Sequence, residues 1–331
     1  MNNLISRIVI NTILGLVLIY AWTRFVNLDE VWQKLITVNP LILLAVVLCS
    51  AISTVIRSFR FKILLPDKNI SLVQLSLLTY LGQLLTFIIP FRIGEFAKGI
   101  YLANSAKKPL PTAILWVFVD RLVDFWVVIS LVGILLLTIP TAIPTNINLI
   151  IGGLAITLAS GIAITVYYPI FVKKVAVLVL NLIFIKRLRV LLLKFTDYVI
   201  NSFSILKVSP NKQLLAISVT AFSWIFESLT WYLVFFILNV PITPLAAILG
   251  TMLMALSFIL PAAPGYLGSL QAAGLLVFSL WLGIDAVSVS AATILIHISI
   301  MLYVLIAGVS SLYFLKLNLG DLFKQFKNTK L

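Results

Sequence analysis

The chain has 331 residues, of which 62% are hydrophobic and only 10% are charged, and its mean hydropathy is +1.18. A soluble domain carries about 25% charged residues, so this composition excludes an ordinary soluble protein and indicates a polytopic membrane protein. The formal net charge is +14. Because the basic residues lie between apolar stretches, we interpret this charge as orientation charge and attraction to anionic lipid, not as a nucleic-acid surface.

Six apolar stretches are long enough to form transmembrane helices, each of which needs roughly 20 apolar residues. We predict spans near residues 8–24, 40–61, 110–139, 149–168, 213–239 and 286–315. The first stretch lacks a small-residue cleavage site, so we interpret it as a membrane anchor. The sequence thus predicts one integral membrane domain, residues 1–331, that is all-α and has about six to eight spans.

The distribution of Lys and Arg predicts the orientation of these spans. Segments 57–109 and 169–212 carry eight basic residues each, whereas segments 140–148 and 240–244 carry none. Positive residues mark cytoplasmic loops. We therefore predict a multi-pass protein of the cell membrane in which the N-terminus, both basic segments and the C-terminus are cytoplasmic.

Two apolar regions, 71–106 and 245–282, are interrupted by proline and glycine, which break helices. The candidate hinge residues are Pro90, Gly94, Pro261, Pro264, Gly265 and Gly268. Broken helices at membrane depth occur where they are buried in protein or line a watery cavity. A matched pair of such segments in the two halves of a chain points to a transport site.

Charge favours re-entrant hairpins for both interrupted regions, since a single crossing by 71–90 would place the basic stretch 92–108 outside. The alternative is that both regions span the membrane fully. If both regions are hairpins, each of the halves 1–139 and 149–316 consists of a span, a second span, a hairpin and a third span. The two halves then have opposite orientations in the membrane. This is the inverted repeat found in secondary transporters.

The basic segment 169–212 between the halves has an amphipathic pattern. From Leu188 to Leu206, apolar residues recur at steps of three and four. This pattern predicts a helix that lies at the inner membrane interface. We interpret the helix as a brace between the halves.

Ionisable residues inside a membrane are costly, so each one is a functional candidate. Asp120 and Asp124 share a helix face, and Arg121 can pair with Asp124. One negative charge remains, and it needs a partner from another helix. The group is either an interhelical ion-pair lock or part of a coupling site or headgroup pocket.

Arg92 and Glu95 follow the first proline. A half-helix end there would favour an anion such as phosphate, and Arg92 could add a bidentate contact. The alternatives are a structural Arg92–Glu95 pair and an Arg92 side chain that snorkels to the membrane interface.

Glu227 lies in mid-span without a basic neighbour in its own helix, so it must pair across helices or be protonated. It is the leading candidate for a coupling role. His297 is either a hydrogen-bonded packing residue or a second coupling residue. We interpret Arg57 and Arg60, at the end of the second span, as interface anchors and not as site residues.

Enzyme chemistry has no support in the sequence. There is no P-loop, no nucleophile–base constellation and no metal-ligand cluster, and the chain contains one histidine and one cysteine. We predict that the protein is not an enzyme and binds no cofactor or metal.

Several motifs resemble the flippase-like membrane proteins that include the transmembrane region of lysylphosphatidylglycerol synthase. The matching pieces are Arg57-Ser58-Phe59-Arg60 with Leu64-Leu65, Pro90 to Glu95, Asp120 to Asp124, Glu227, and Pro261 to Gly268. The chain departs from the pattern at Gln271, where glutamate is common, and at His297, where arginine is common. It ends without the soluble aminoacyl-transferase domain, so we expect only the membrane module and no synthesis of lysyl lipid.

The resemblance implies that the protein moves or handles lipids. Our leading hypothesis is a flippase for a lipid or lipid-linked precursor. The candidate substrate-binding residues are Arg92, Glu95, Asp120, Arg121, Asp124 and Glu227. The predicted partners are membrane lipids with anionic headgroups. The alternatives are a small-solute or ion secondary transporter and a non-transporting membrane subunit of a glycosyltransferase or synthase. Mutual pairing of the charges in a dry core would count against transport.

Overall fold

The computed structural model describes residues 2–66, 69–88, 93–182, 185–204, 210–257 and 263–317. All regular elements within these ranges are helical, which confirms an all-α polytopic membrane protein. The α-helices are α1 (Asn2–Phe25), α2 (Leu28–Ile36), α3 (Pro40–Leu64), α4 (Leu72–Ile88), α5 (Ile93–Ala106), α6 (Leu110–Thr138), α7 (Thr145–Tyr167), α8 (Pro169–Leu180), α9 (Lys186–Ser204), α10 (Pro210–Ile237), α11 (Pro244–Ser257), α12 (Ser269–Gly274) and α13 (Ala286–Phe314).

Each of the six predicted spans coincides with a helix. By length and composition, α3, α6, α7, α10 and α13 can each cross a membrane, and residues 11–25 with α2 form a further candidate that is bent by 90°. Local signals set the helix starts. At α3, the Asn39 side chain accepts a hydrogen bond from the Leu41 amide, and Pro40 occupies the first turn, where no amide hydrogen is needed.

Helix α2 was not among the predicted elements. Asn27 caps its first turn by accepting hydrogen bonds from the amides of Asp29 and Glu30. Val31 is buried, whereas Trp32 is exposed. The bend after α1 therefore turns a short amphipathic helix across the end of the first span, where it packs on α13.

Each interrupted region contains two short helices, α4 and α5 in the first and α11 and α12 in the second, and residues 89–92 and 258–262 between them lie outside the described residues. In the first, α4 and α5 approach so closely that a Cβ on Gly94 would overlap the carbonyl oxygen of Gly82. In the second, a 3₁₀ turn (Pro264–Tyr266) precedes α12, which continues as a π-helix (Leu275–Trp281).

Two glycines in the second break adopt left-handed conformations. Gly265 and Gly268 have φ values of +67° and +76°, a region that favours glycine. Pro90, Arg92 and Pro261 lie outside the described residues. Whether the two regions are re-entrant stays a prediction.

Helices of the first half pack on helices of the second half. Helix α4 packs on α13 and α11 packs on α6, while α3 packs on α10. The α3–α10 pair is antiparallel, because Ser53 contacts Glu227 whereas Arg60 contacts Thr220. Antiparallel pairing of these two helices is compatible with an inverted repeat, which stays a prediction. The contacts of the first helices differ, since α1 packs on α12 and α7 on α6, and the boundaries of the halves stay a prediction.

The basic segment between the halves forms two helices, α8 and α9, and the amphipathic character expected of α9 is present. Lys173 Nζ lies 2.8 Å from Asp197 Oδ1, which joins the two helices. None of the residues of α8 is buried. The interfacial placement of this segment stays a prediction.

Candidate functional site

A cavity of about 360 Å³ lies among α3, α4, α5, α6, α10, α11 and α13. Its volume falls in the range of about 300–1,000 Å³ that is typical of small-molecule sites. Its charged lining residues are Arg57, Glu95, Lys98, Arg121, Asp124 and Glu227. Glu95 and Lys98 of α5 line the cavity beside residues of α4, so the first interrupted region contributes charged side chains to its wall.

Arg60 lies at the buried end of the charged group, away from the cavity. It is fully buried, its Nε donates to Asp120 Oδ1 at 2.8 Å, and its Nη1 donates to Asp124 Oδ1 at 2.7 Å. The prediction that the acidic pair needs a partner from another helix is therefore confirmed. The interpretation of Arg60 as an interface anchor is wrong, because its side chain is fully buried and pairs with two carboxylates of α6.

Arg121 and Glu95 join α6 to α5. Arg121 Nη2 donates to Asp120 Oδ2 at 2.7 Å, and its Nε lies 3.8 Å from Glu95 Oε1. Glu95 also pairs with Lys98, whose Nζ lies 3.4 Å from Glu95 Oε2. Lys98 is only 4% exposed and was not among the predicted site residues.

Arg57 and Glu227 join α3 to α10 on the far side of the cavity. Arg57 Nη2 donates to Glu227 Oε2 at 3.3 Å, and Ser53 Oγ donates to the same oxygen at 3.0 Å. The Arg57 guanidinium lies over the Trp224 ring, 4.4 Å from its centroid. Glu227 thus pairs across helices, which was one of its two predicted states. The interpretation of Arg57 as an interface anchor is wrong, because its side chain lines the cavity.

These residues form one continuous ion-pair network. Arg57 also approaches Asp124, at 3.9 Å, and Arg121 Nη1 lies 3.5 Å from Asp124 Oδ2. In order of contact, the network runs Lys98, Glu95, Arg121, Asp120, Arg60, Asp124, Arg57 and Glu227. Four cations balance four carboxylates within the described part of the chain. Such balance is expected, because an unpaired charge in a nonpolar interior is strongly destabilising.

The network is not a dry core. The side chains of Arg121, Glu95 and Glu227 are 27%, 26% and 29% exposed, respectively, and all three line the cavity. Only Arg60 and Asp120 are withdrawn from it. The network therefore has two parts. Arg60 and Asp120 are buried, whereas the other six residues form the cavity-facing set: Arg57, Glu95, Lys98, Arg121, Asp124 and Glu227.

His297 connects α13 to the second break. One ring nitrogen, Nε2, lies 2.7 Å from the Gly265 carbonyl oxygen, and the other, Nδ1, lies 3.3 Å from Gln271 Nε2. Gln271 Oε1 in turn accepts a hydrogen bond from the Gly268 amide. This pattern fits a neutral imidazole that donates from Nε2 and accepts at Nδ1. The structure places His297 as a hydrogen-bonded packing residue at the cavity wall, and its coupling role stays a prediction.

A second polar group that the sequence did not single out also lines the cavity. Tyr303 donates to Thr54 Oγ1 at 2.8 Å, and Gln83 Nε2 donates to the same oxygen at 3.2 Å. A detectable signal was present in α3, where Ser50, Thr54 and Arg57 recur at three- and four-residue steps within an apolar helix.

Comparison with known proteins agrees with this architecture. The sequence matches, over residues 6–308, the family described as the lysylphosphatidylglycerol synthase TM region. The chain belongs to this family. The match extends from the first helix into α13, so every residue of the ion-pair network lies within the family region. No curated protein matches the chain.

Proposed function

We propose that the protein moves a lipid or lipid-linked precursor across the cell membrane. The headgroup enters the cavity while the acyl or prenyl tails stay in the bilayer. The observation that carries this proposal is the cavity-facing set of charges. Arg57, Glu95, Arg121 and Glu227 are ion-paired, yet they line a cavity of about 360 Å³. Ionisable residues within transmembrane helices that line a cavity often mark substrate pathways.

Family membership supports the lipid reading, since the family takes its description from the membrane region of a lipid synthase. The cavity also argues against a purely scaffolding subunit, which has no need to keep ion pairs in contact with a cavity. On this proposal the protein catalyses no chemical reaction and its partners are membrane lipids. The predicted headgroup contact from Arg92 lies outside the described residues and stays a prediction.

The test is headgroup translocation in proteoliposomes that contain purified protein and lipids labelled on the headgroup. The lipids are phosphatidylglycerol, phosphatidylethanolamine and a polyprenyl phosphate. We expect protein-dependent flipping of at least one of them, and we expect Glu227→Gln and Arg92→Ala to abolish it. Arg24→Gln is the matched control, because Arg24 is exposed and bonds to Tyr20 in its own helix.

Correct folding of each variant is verified by its thermal transition. Failure of the folded wild type to flip any of the three lipids would reject the proposal and favour a small-solute transporter.

A further inference from the structure

The four cations of the network differ in how firmly their carboxylate partners hold them. Arg60 has two carboxylate oxygens within 2.8 Å, and Arg121 has Asp120 at 2.7 Å with two further carboxylates near it. Arg57 has only Glu227 at 3.3 Å and Asp124 at 3.9 Å. It is therefore the most loosely held arginine of the network, and it faces the cavity.

The donors of Arg57 are also incompletely used. Its Nε is buried and has no hydrogen-bond partner among the described residues. Stacking on Trp224 holds the guanidinium by its face. The two end nitrogens, Nη1 and Nη2, whose carboxylate contacts are 3.9 and 3.3 Å long, remain as the donors for a ligand. A planar fork of this kind matches the oxygens of a phosphate, which it can bind with two parallel hydrogen bonds.

The geometry points to Arg57 as the residue that binds the phosphate of the transported headgroup, with Glu227 as the resting partner that the phosphate displaces. This inference rests on the proposed lipid transport and names the chemical group that the cavity recognises. Glu227 and the phosphate compete for the same guanidinium. When the phosphate leaves, Glu227 retakes Arg57, so the cation is never left unpaired in the membrane.

If Glu227 and the phosphate compete for Arg57, substitutions at Arg57 and at Glu227 should change headgroup binding in opposite directions. Arg57→Gln removes the phosphate partner and weakens headgroup binding about tenfold or more, as expected for a lost charge-assisted hydrogen bond. Glu227→Gln removes the competitor and tightens binding, while flipping is lost because the headgroup is no longer released. A merely structural pair would weaken binding in both variants.

The experiment measures dissociation constants of the purified full chain in detergent, by fluorescence anisotropy of short-chain labelled phosphatidylglycerol. A labelled diacylglycerol, which lacks phosphate, is the lipid control, and inorganic phosphate is added as a competitor. Competition by inorganic phosphate together with weak lipid binding would identify free phosphate as the source of the ligand. Arg24→Gln serves as the control variant. Arg57→Lys keeps the positive charge but lacks the planar pair of nitrogen donors.

Folding is kept separate from binding by the variant Arg57→Gln/Glu227→Gln, which replaces the ion pair with two neutral amides. It should bind as weakly as Arg57→Gln and unfold near the wild-type temperature. Equal weakening in both single variants, an unchanged dissociation constant in Arg57→Gln, or no phosphate-dependent binding by the wild type would each overturn the inference. If the protein flips lipids but Arg57→Gln leaves binding unchanged, the phosphate site at Arg57 is rejected and the proposed transport stands. If binding depends on Arg57 but no lipid is flipped, the proposed transport is rejected and the phosphate site stands.

Discussion

Gln271 and His297 are in direct contact, with Gln271 Nε2 lying 3.3 Å from His297 Nδ1. At these two positions the resemblance to the family implies a glutamate and an arginine, respectively. The two positions are therefore in contact, and in this chain they carry a neutral hydrogen-bonded pair. The pair also fixes the second helix break, through the Gly268 amide and the Gly265 carbonyl oxygen.

The contact predicts strong coupling between substitutions at the two positions. Gln271→Glu alone buries a carboxylate and His297→Arg alone buries a cation, so each should lower stability. In the double variant the new carboxylate and the new guanidinium lie beside each other and can pair. We expect a coupling free energy of about 1–3 kcal/mol, obtained from the thermal or denaturant unfolding of wild type, both single variants and the double variant in detergent. Additive losses would contradict the contact.

The close approach of α4 and α5 predicts that Gly94→Ala is destabilising. The added Cβ would overlap the Gly82 carbonyl oxygen, and the two helices would have to separate. We expect a loss of about 1–3 kcal/mol in the free energy of unfolding. Gly153→Ala is the matched control, because a Cβ there meets nothing within 4 Å. That substitution should leave stability unchanged or raise it slightly, since alanine favours helix over glycine. Similar losses in both variants would reject the steric explanation.

Asp285 caps α13 and predicts a defined pH dependence of stability. Partial burial favours its protonated form, but hydrogen bonds from the Ser288 side chain and amide, together with the charge of Lys34, hold the pKa of Asp285 below its ordinary value of 3.8. Because the folded-state pKa is lowered, the stabilisation is present above the unfolded-state pKa. It is lost as the pH falls through the folded-state pKa.

Unfolding temperatures of wild type and Asp285→Asn, measured between neutral pH and pH 3, test this dependence. Asparagine keeps a capping oxygen but cannot ionise. The advantage of the wild type should therefore be largest near neutral pH and should shrink towards pH 3. An advantage that does not change with pH would contradict an ionised cap.

Spans and helix breaks could be predicted from the sequence because apolar length and proline or glycine determine them locally. The need of Asp120 and Asp124 for a counter-charge from another helix was predictable for a similar reason, since one arginine cannot neutralise two carboxylates. The identity of that counter-charge was not. Arg57 and Arg60 lie near the end of a span, and only the rotation of α3 against α6 and α10 turns them into the protein.

Lys98 could have been found from its spacing. It follows Glu95 by three residues, which places the two on one helical face. The sequence predicted that residues 71–106 form a hairpin at a cavity, but it did not indicate that Lys98 would be buried there. That burial depends on the packing of α5 on α4 and α6. Local pairing was therefore visible in the sequence, and burial was not.

The position of Arg60 beneath the cavity predicts that it is the most sensitive residue of the network for stability. Arg60→Met would leave Asp124 with a hydrogen bond from the Trp224 indole, at 3.2 Å, and with longer ion-pair contacts to Arg57 and Arg121, at 3.9 and 3.5 Å. Breaking a buried ion pair on one side costs about 3–5 kcal/mol, so the variant should be strongly destabilised.

The double variant Arg60→Met/Asp124→Asn removes the stranded charge and should recover part of that loss. Thermal unfolding of wild type and both variants in detergent provides the measurement, with Arg24→Met as the exposed control. A loss in Arg60→Met no larger than in the control would show that the carboxylates do not depend on this arginine. Failure of Asp124→Asn to restore stability would show that packing of the long side chain, and not its charge, holds α3 against α6.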